Sequence, residues 1–339
     1  MSICILGIES SCDDTSASIL CDGIVLSNVI NTQIIHSKYG GVVPELASRA
    51  HQQNIIPVVA EALSKANKKL SDISAISFTK GPGLLGSLLV GSSFAKALSV
   101  AISKPLIGVN HLHGHIFTHF LRNQNELEFE AKFPFLCLLV SGGHTQIIRV
   151  NNYTDFEVIG TTIDDAAGEA FDKCAKVLGL GYPGGVDIDN LSKDGNSDRF
   201  KFGKPKIAGL DYSFSGIKTS FLYFLRDHIR QNKDFVQDNL SDLCASLQSE
   251  IIEILIDKLI KAVKMTGITE ISVSGGVSAN SCLRSKLSEI GEANDWNIYL
   301  PEKRFTTDNA AMVALIGYYY YLDGKTDSLD ISPQARIVL

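Results

Sequence analysis

The sequence has few cysteines, no long uninterrupted apolar run and no excess of positive charge. Its 339 residues include seven cysteines, at positions 4, 12, 21, 137, 174, 244 and 282, without a Cys-x-x-Cys pair. This odd number and wide spacing argue against a disulfide framework or a cysteine zinc site, and suit a reducing cytosol. Lys and Arg number 31 against 37 Asp and Glu, a formal charge of −6. An RNA partner would therefore have to meet a local patch.

Neither a membrane span nor a signal peptide is predicted. The most apolar long stretch, 84–102, contains Lys96, two glycines and several serines, whereas a span needs about 20 mostly apolar residues. The first residues read as a buried strand that meets Glu9 at once, without a basic region or a cleavage site. We therefore expect a soluble, cytoplasmic protein of roughly two domains.

Short Ile- and Val-rich runs alternate with longer segments of helical period, which is the pattern of an α/β fold. Two groups of three strands joined by short turns are predicted, at 3–8, 16–20 and 24–30 and again at 135–140, 146–150 and 156–160. A polar stretch, 123–132, separates the two groups. The repeat predicts a first lobe over 1–110 and a second over 111–307, with a C-terminal helix near 308–339 packing back on the first.

Glycine-rich turns follow several of the predicted strands. Two strands end in Ser-Gly-Gly, at 141–143 and 274–276, where a glycine pair would let backbone N–H groups approach a phosphate. These loops predict two lobes that face one nucleotide. The segment KGPGLLGS at 80–87 is either an anion-binding loop or a tight turn, and it lacks the Gly-Lys-Ser/Thr of a Walker A motif. Gly86 and Gly91 predict a close approach to another surface, such as a partner subunit.

Three of the eight histidines lie in NHLHGH. His111 and His115 are four residues apart on one helical face and could share a metal, or they could simply line the core. Asp308 is a candidate third ligand, although it would also make a good N-cap. Leu112 stands where HExxH has its glutamate, so a zinc peptidase is disfavoured.

Further acidic groups occupy turns and one helix face. In GIESSCDDTS, a carboxylate of the turn could position a proton or hold a metal–phosphate, or the segment could be an ordinary hairpin turn. Asp165, Glu169 and Asp172 share a helical face, so cations, amines or hydroxyls should lie opposite them. The turn at 182–189 could accept ribose hydroxyls, and the alternative is a plain loop.

Nine motifs together resemble the TsaD family, which is related to the archaeal and eukaryotic Kae proteins. They are GIESSCDDTS, VVPELASRAH, KGPGLLGSLLVG, NHLHGH, LVSGGHT, DDAAGEAFDK, YPGG, SGGVSAN and TTDNAAM. The resemblance implies a two-lobed actin/Hsp70/sugar-kinase-like (ASKHA) fold with duplicated mixed sheets. It also implies a tRNA-modifying acyltransferase, which moves the threonylcarbamoyl group from threonylcarbamoyl-AMP to N6 of the adenosine adjacent to the anticodon and releases AMP.

The same resemblance implies the site residues. His111, His115 and Asp308 are expected to hold one divalent metal, iron(II) or else zinc, and Asp13 to act in catalysis. Asp14 stands where the family often has Glu, which weakens any role for it. The positions expected to bind the adenylate are Leu139, Val140, Ser141, Gly142, Gly143, Asp172, Gly185, Asp189 and Asn280.

The partners implied are tRNAs that read codons beginning with A, a TsaB-like paralogue that pairs through first-lobe helices, a TsaE-like ATPase and a synthase that supplies threonylcarbamoyl-AMP. We expect no membrane partner. A basic stretch is a candidate for the tRNA backbone, although a solvated loop is the common alternative; it carries Lys193, Arg199, Lys201, Lys204 and Lys206. A zinc endopeptidase and a non-catalytic nucleotide-binding scaffold remain as other functions.

Overall fold

The computed structural model describes residues 2–39, 41–123, 132–204 and 207–337. Its contacts divide the chain into two units, residues 1–131 with 301–339 and residues 132–300. Each unit contains one five-stranded sheet with helices packed against it.

The described residues form ten strands and ten α-helices. The strands are β1 (Cys4–Glu9), β2 (Asp14–Cys21), β3 (Ile24–Thr32), β4 (Ala75–Gly81), β5 (Leu106–Asn110), β6 (Phe135–Val140), β7 (Thr145–Asn152), β8 (Asp155–Thr161), β9 (Glu270–Ser274) and β10 (Asn297–Tyr299). The helices are α1 (Pro44–Lys65), α2 (Leu85–Ile102), α3 (His111–Ile116), α4 (Ala167–Val177), α5 (Gly184–Ser192), α6 (Ser215–Ile229), α7 (Phe235–Asp238), α8 (Leu240–Thr266), α9 (Ser281–Asn294) and α10 (Ala310–Leu322).

The two sheets repeat one topology. The first has the order β3-β2-β1-β4-β5 and the second β10-β9-β6-β7-β8. In each, three consecutive strands pair antiparallel and two later strands extend the sheet in parallel. Parallel additions need crossover connections, and helices supply them here. The predicted α/β fold with duplicated mixed sheets is confirmed.

The two Ser-Gly-Gly loops both lie in the second unit. Strands β6 and β9 are parallel neighbours, with Leu139 opposite Ser274, so their carboxyl ends meet at one edge of the same sheet. Both loops fall within the predicted second lobe, 111–307, so they do not bear on whether two lobes face one nucleotide. The pairing of β6 with β9 crosses a long stretch of sequence, which strand patterns alone do not reveal.

One pair of cysteines departs from the expectation drawn from spacing. Strands β1 and β2 form a hairpin whose register places Cys4 opposite Cys21, and the two form a disulfide. The other five cysteines are free. The hairpin brings together two positions that look distant along the sequence, so the argument against disulfides fails for this pair.

The glycines of α2 and of the preceding loop contact the chain itself. A Cβ on Gly91 would lie 2.2 Å from Ser10 Oγ, and one on Gly86 would lie 3.3 Å from Ser48 Cβ. The close approach that these two glycines permit is internal to the first unit, so the glycines themselves give no evidence of a partner subunit.

The C-terminal segment covers the glycine-rich loop before α2. Gly83 N–H donates to the carbonyl of Ala335 at 3.2 Å, and Gln334 N–H donates to the carbonyl of Lys80 at 2.8 Å. A Cβ on Gly81 would lie 1.9 Å from the carbonyl oxygen of Gln334. The loop is therefore a tight turn filled by the chain's own backbone, and the anion-binding interpretation is wrong.

Two helices bear on the organisation of the first unit. Among the described helices, α2 alone is long and apolar enough to cross a bilayer; in the structure it packs against α1 and β4. Helix α10 contacts β1, β2, β4 and α3. Residues 111–131 and 301–307 accordingly fall within the first unit, whereas the sequence-based boundary lies after residue 110.

Candidate functional site

Three potential metal ligands converge in the first unit. The histidine pair starts α3, whose N-terminus is capped by Asn110 through a 2.9 Å bond from Leu112 N–H. His111 Nε2 and His115 Nε2 lie 3.2 Å apart, and Asp308 Oδ1 lies 3.0 Å from His115 Nε2 and 3.4 Å from His111 Nε2. These ligand atoms lie within 4.8 Å of one another.

Asp308 contacts the histidines because its neighbour performs the capping. The N-cap of α10 is Asn309, whose side chain accepts from Met312 N–H at 3.1 Å. The alternative explanation of Asp308 as an N-cap is therefore wrong. Helix α3 is short: it ends at Ile116, and a single 3₁₀ turn follows at Thr118–Phe120.

The charges around His111 are strongly coupled. Burial alone would lower the pKa of His111, but the carboxylates of Asp308 and Glu9 outweigh it and hold that pKa well above its usual value. Burial likewise opposes ionisation of both acids, yet His111 lowers the pKa of Glu9 and, together with His115, that of Asp308. Two carboxylates thus need a positive charge between them, which a proton on His111 supplies when no ion is bound.

The donor set fits a divalent metal. Two imidazole nitrogens and one carboxylate oxygen converge from α3 and from the residue before α10, and the first two belong to buried side chains. Two histidines and one carboxylate form the facial triad that is typical of non-haem iron(II), and zinc accepts the same ligands.

The turn between β1 and β2 carries two acids beside this group. Burial, with smaller contributions from Asp308 and Asp13, raises the pKa of Asp14 to about 7, against an opposing hydrogen bond from Thr32. The Asp13 side chain is partly exposed. Burial and the adjacent Asp13 also raise the pKa of the Cys12 thiol, so Cys12 stays protonated and is a poor nucleophile.

The loop after β6 is built as a tight turn in the second unit. Ser141 Oγ accepts from the N–H groups of Gly143 and His144 at 3.3 and 3.0 Å. Added Cβ atoms on Gly142 and Gly143 would meet nothing within 4 Å, so the space beside these glycines is open. Leu139 and Val140 are fully buried core side chains, which leaves only their backbone groups to face a ligand.

Two of the predicted adenylate residues anchor helix N-termini. Asp172 Oδ1 accepts from Gly184 N–H at 2.8 Å and from Gly185 N–H at 3.3 Å, at the start of α5. Asp189 accepts from Ser281 N–H at 3.1 and 3.2 Å and from its hydroxyl at 2.7 Å, at the start of α9. Carboxylates in these positions satisfy free N–H groups and oppose the positive end of the helix dipole.

Asn280 belongs to the same network. Its Oδ1 caps α9 by accepting from Leu283 N–H at 3.0 Å, and its Nδ2 donates to Gln248 Oε1 at 2.6 Å. Gln248 Nε2 in turn donates to Ser192 Oγ at 2.7 Å. Buried Gln248 thus ties α8 to α5 and α9.

Asp165 precedes α4, which begins at Ala167, so the prediction that Asp165, Glu169 and Asp172 share one helical face is wrong for Asp165. Lys173 Nζ lies 2.7 Å from Asp165 Oδ1 and 2.7 Å from Glu169 Oε1. The amine that pairs with these two acids, Lys173, belongs to α4 itself and does not come from an opposing element. Asp172 Oδ1 instead accepts from the first N–H groups of α5. Burial raises the pKa of Asp172, against the opposing bonds from Gly184 and Gly185.

The basic stretch proposed for tRNA is largely engaged by other side chains, and Lys206 lies outside the described residues. The four remaining cations contact neighbouring polar or acidic groups: Lys193 with Asn190, Arg199 with Asp242, Lys201 with Asp198, and Lys204 with Glu250 and Glu253.

The sequence pattern did not single out two residues of these sites. Glu9 is fully buried at the end of an otherwise apolar strand, and that lone carboxylate was a usable signal. Gln248 lies inside α8, where nothing in the sequence marks it.

Known proteins align with this chain over its full length. The family model described as TsaD, tRNA N6-adenosine threonylcarbamoyltransferase, matches residues 24–315. Curated relatives named tRNA N6-adenosine threonylcarbamoyltransferase include one from Phocaeicola vulgatus, 56% identical over 339 residues and covering 100% of both chains. Another, from Thermosipho africanus, is 47% identical over 340 residues and covers 98% of this chain and 99% of the relative.

Solved structures share the fold at low identity. Full-length HypF in its phosphate- and nucleotide-bound form is 14% identical with a TM-score of 0.61, covering 94% of this chain and 46% of HypF. Component A of the Acidaminococcus fermentans (R)-2-hydroxyglutaryl-CoA dehydratase is 17% identical with a TM-score of 0.53, covering 95% of this chain and 100% of that protein.

Proposed function

The chain belongs to the TsaD family of tRNA N6-adenosine threonylcarbamoyltransferases. From this we propose the donor, the acceptor adenosine and the residues that carry out the transfer. The protein transfers a threonylcarbamoyl group to N6 of a tRNA adenosine. The donor is threonylcarbamoyl-AMP, and the acceptor is the adenosine adjacent to the anticodon in tRNAs that read codons beginning with A. The observation that carries this assignment is the two-histidine, one-carboxylate group, which lies within the family match over residues 24–315.

The reaction is an acyl transfer to an amine. The N6 amine attacks the carbamoyl carbon of the donor, the bond between that carbon and the phosphate oxygen breaks, and AMP leaves. The donor is a mixed anhydride and already activated, so the protein's main task is to position two reactants. The attacking amine must lose a proton, and we assign that proton to the carboxylate of Asp13, in the turn between β1 and β2.

His111, His115 and Asp308 would hold the metal, and iron(II) is the ion that this donor set favours. A bound divalent ion supplies Lewis acidity and a fixed positive field for a developing negative charge. Leu112 follows His111, so the helix offers no glutamate for the water activation of an HExxH peptidase.

We assign adenylate binding to the second unit. The open space at Gly142 and Gly143 suits a phosphate or an AMP group that approaches the loop after β6. The α5 and α9 N-termini, held by Asp172, Asp189 and Asn280, lie in the same unit. We assign contacts with the ribose and the base to these three residues and to Gly185.

We propose a heterodimer with a TsaB-like paralogue through α1 and α2, with a TsaE-like ATPase and a threonylcarbamoyl-AMP synthase as further partners. Helices α1 and α2 pack together and expose large apolar side chains, among them Ile56, Leu85 and Leu89. Exposed apolar groups of this size are typical of protein interfaces. The location we propose is the cytoplasm, where the tRNA substrate is available.

The test is nucleoside mass spectrometry. Unmodified tRNA reading a codon that begins with A is incubated with the protein, its partners, threonine, bicarbonate and ATP. Wild type should yield threonylcarbamoyl-adenosine, and Asp308→Ala should lose it because one of three ligands is gone. Asp323→Ala is the matched control, since Asp323 is an exposed acid of the same unit whose side chain pairs with nearby Lys325.

The outcomes separate the functions. Loss of product in Asp308→Ala with retention in Asp323→Ala supports the metal-assisted transferase. Full activity of Asp308→Ala would contradict the role of the metal group. If the wild type makes no product although the adenylate and the complex are confirmed, the non-catalytic scaffold becomes the better explanation.

A further inference from the structure

Glu9 is a fully buried carboxylate directly behind the proposed metal ligands. It ends β1, and its Oε2 lies 3.0 Å from His111 Nδ1 and accepts from Thr79 Oγ1 at 2.6 Å. Its Oε1 accepts from Ser11 N–H at 2.5 Å. An ionised carboxylate is costly to bury unless its oxygens are satisfied, and here both oxygens are satisfied.

We propose that Glu9 is a positioning residue that sets the tautomer and the ring orientation of His111. An ionised carboxylate can only accept hydrogen bonds, so the Nδ1 facing it must carry the proton. The lone pair of His111 then lies on Nε2, the nitrogen that faces His115 and Asp308. This inference rests on the proposed metal site and not on the identity of the substrates.

The two histidines differ in this respect. His115 Nδ1 is buried and makes no hydrogen bond within the described residues. His111 Nδ1 lies 3.0 Å from Glu9 Oε2 and 3.3 Å from Ser11 Oγ, a hydroxyl that can donate or accept, so the carboxylate is the partner that requires a proton on Nδ1. Metal-binding histidines are commonly fixed by such a second partner, whose loss typically lowers metal affinity 10- to 100-fold. Glu9 therefore orients one of the three ligands, His111, whereas the orientation of the His115 ring depends on the side chains packed around it.

A glutamine at this position cannot reproduce the contacts. With its oxygen towards His111, the amide NH₂ faces Ser11 N–H, and two donors oppose each other. With its NH₂ towards His111, Nδ1 must become the acceptor, which moves the proton to Nε2 and removes the lone pair from the metal side. Either orientation weakens the site while the side chain keeps its size.

The experiment measures the binding of Co²⁺ and Zn²⁺ to the purified full-length chain. Visible absorption follows Co²⁺, and competition with a chromophoric chelator follows Zn²⁺. Glu9→Gln should lower the affinity by about 10- to 100-fold. Thr79→Val is the matched control, because it removes the other donor to Oε2 and leaves the carboxylate facing His111; its affinity should stay within about threefold of wild type.

Several results would overturn the proposal. Equal losses in Glu9→Gln and Thr79→Val would show a purely structural role for the buried group, and an unchanged affinity in Glu9→Gln would remove the role altogether. A wild-type chain that binds neither ion would refute the metal site itself. Normal metal binding combined with absent transferase activity would instead refute only the proposed reaction.

A measurement on the unaltered chain covers the case in which Glu9→Gln does not fold. In the zinc-loaded protein labelled with ¹⁵N-histidine, the proposal requires His111 to be protonated on Nδ1 and bound through Nε2. Binding through Nδ1, or an Nδ1 without a proton, would contradict it.

Discussion

Gly184 should be intolerant of any side chain, whereas its neighbour Gly185 should accept one. A Cβ on Gly184 would lie 2.1 Å from Ala175 Cβ, a short side chain on α4 that cannot rotate away. A Cβ on Gly185 would lie 3.8 Å from Phe171 Cβ, an ordinary contact. The two positions are adjacent in sequence and both start α5, so they form a matched pair.

The magnitude follows from what must move. Overpacking of this kind costs about 1–3 kcal/mol. Pushing α5 away from α4 also lengthens the bonds from Gly184 and Gly185 to Asp172, and a hydrogen bond to a charged group contributes about 1.5–3 kcal/mol. We expect Gly184→Ala to lower the free energy of unfolding by roughly 3 kcal/mol or more. For Gly185→Ala we expect a change within about 1 kcal/mol, which includes the better helix propensity of Ala.

The assay is urea denaturation followed by tryptophan fluorescence. The single tryptophan, Trp296, packs against the core of the second unit, so its emission reports on the unit that contains α5. If Gly185 also contacts the adenylate as proposed, Gly185→Ala should raise the KM for the donor at nearly unchanged stability. Equal stabilities of the two variants would refute the packing argument.

Three further outcomes follow from buried groups. Gln248→Leu removes the acceptor of the Asn280 Nδ2 hydrogen bond. The free energy of unfolding should therefore fall by about 1–3 kcal/mol. The KM for the adenylate should rise by a larger factor than kcat falls. Burial lowers the pKa of His119 from 6.5 to about 3. Between pH 7 and pH 5 the imidazole therefore gains a proton in the unfolded chain but not in the folded one. The contribution of His119 should lower the free energy of unfolding by about 2 kcal/mol over this range. In thermal melts of His119→Phe the difference between pH 7 and pH 5 should shrink by this contribution, while that of His113, whose pKa burial lowers to about 4, should remain. Gly91→Ala, which forces Ser10 aside, should destabilise the first unit by about 1–3 kcal/mol, and an unchanged melting temperature would contradict this.

The sequence predicted the strands well and the long-range pairing poorly. The run at 135–140 forms β6 with the predicted bounds, because a short Ile-, Leu- and Val-rich run between turns carries its own signal. The pattern at 182–189 predicts a turn, since its two glycines disfavour a helix, whereas in the structure α5 begins at Gly184. Asp172, from a different helix, satisfies its first N–H groups, and such a contact is invisible to local patterns.

The site shows the same division. His111 and His115 could be paired from their spacing alone, because i and i+4 positions share a helix face. The roles of Asp308 and Glu9 in the site depend on where α10 and β1 pack. Only the structure shows that Asp308 faces the histidines and does not cap α10. Local periodicity therefore predicts candidate ligands, whereas tertiary packing decides which groups orient them.

The acids implied for adenylate binding are not equivalent. The described contacts of Asp172 use only Oδ1, and the other oxygen stays available to a hydroxyl. Asp189 uses both oxygens on Ser281, so a ligand hydroxyl there must share an acceptor already bound to a helix N-terminus. Each carboxyl oxygen can accept two hydrogen bonds, so an Asp189 oxygen could accept from a ligand hydroxyl as well. That hydroxyl would bind an oxygen that already accepts from Ser281. Asp172 is therefore the stronger candidate for direct ribose recognition, and Asp189 acts first by fixing where α9 and Asn280 begin.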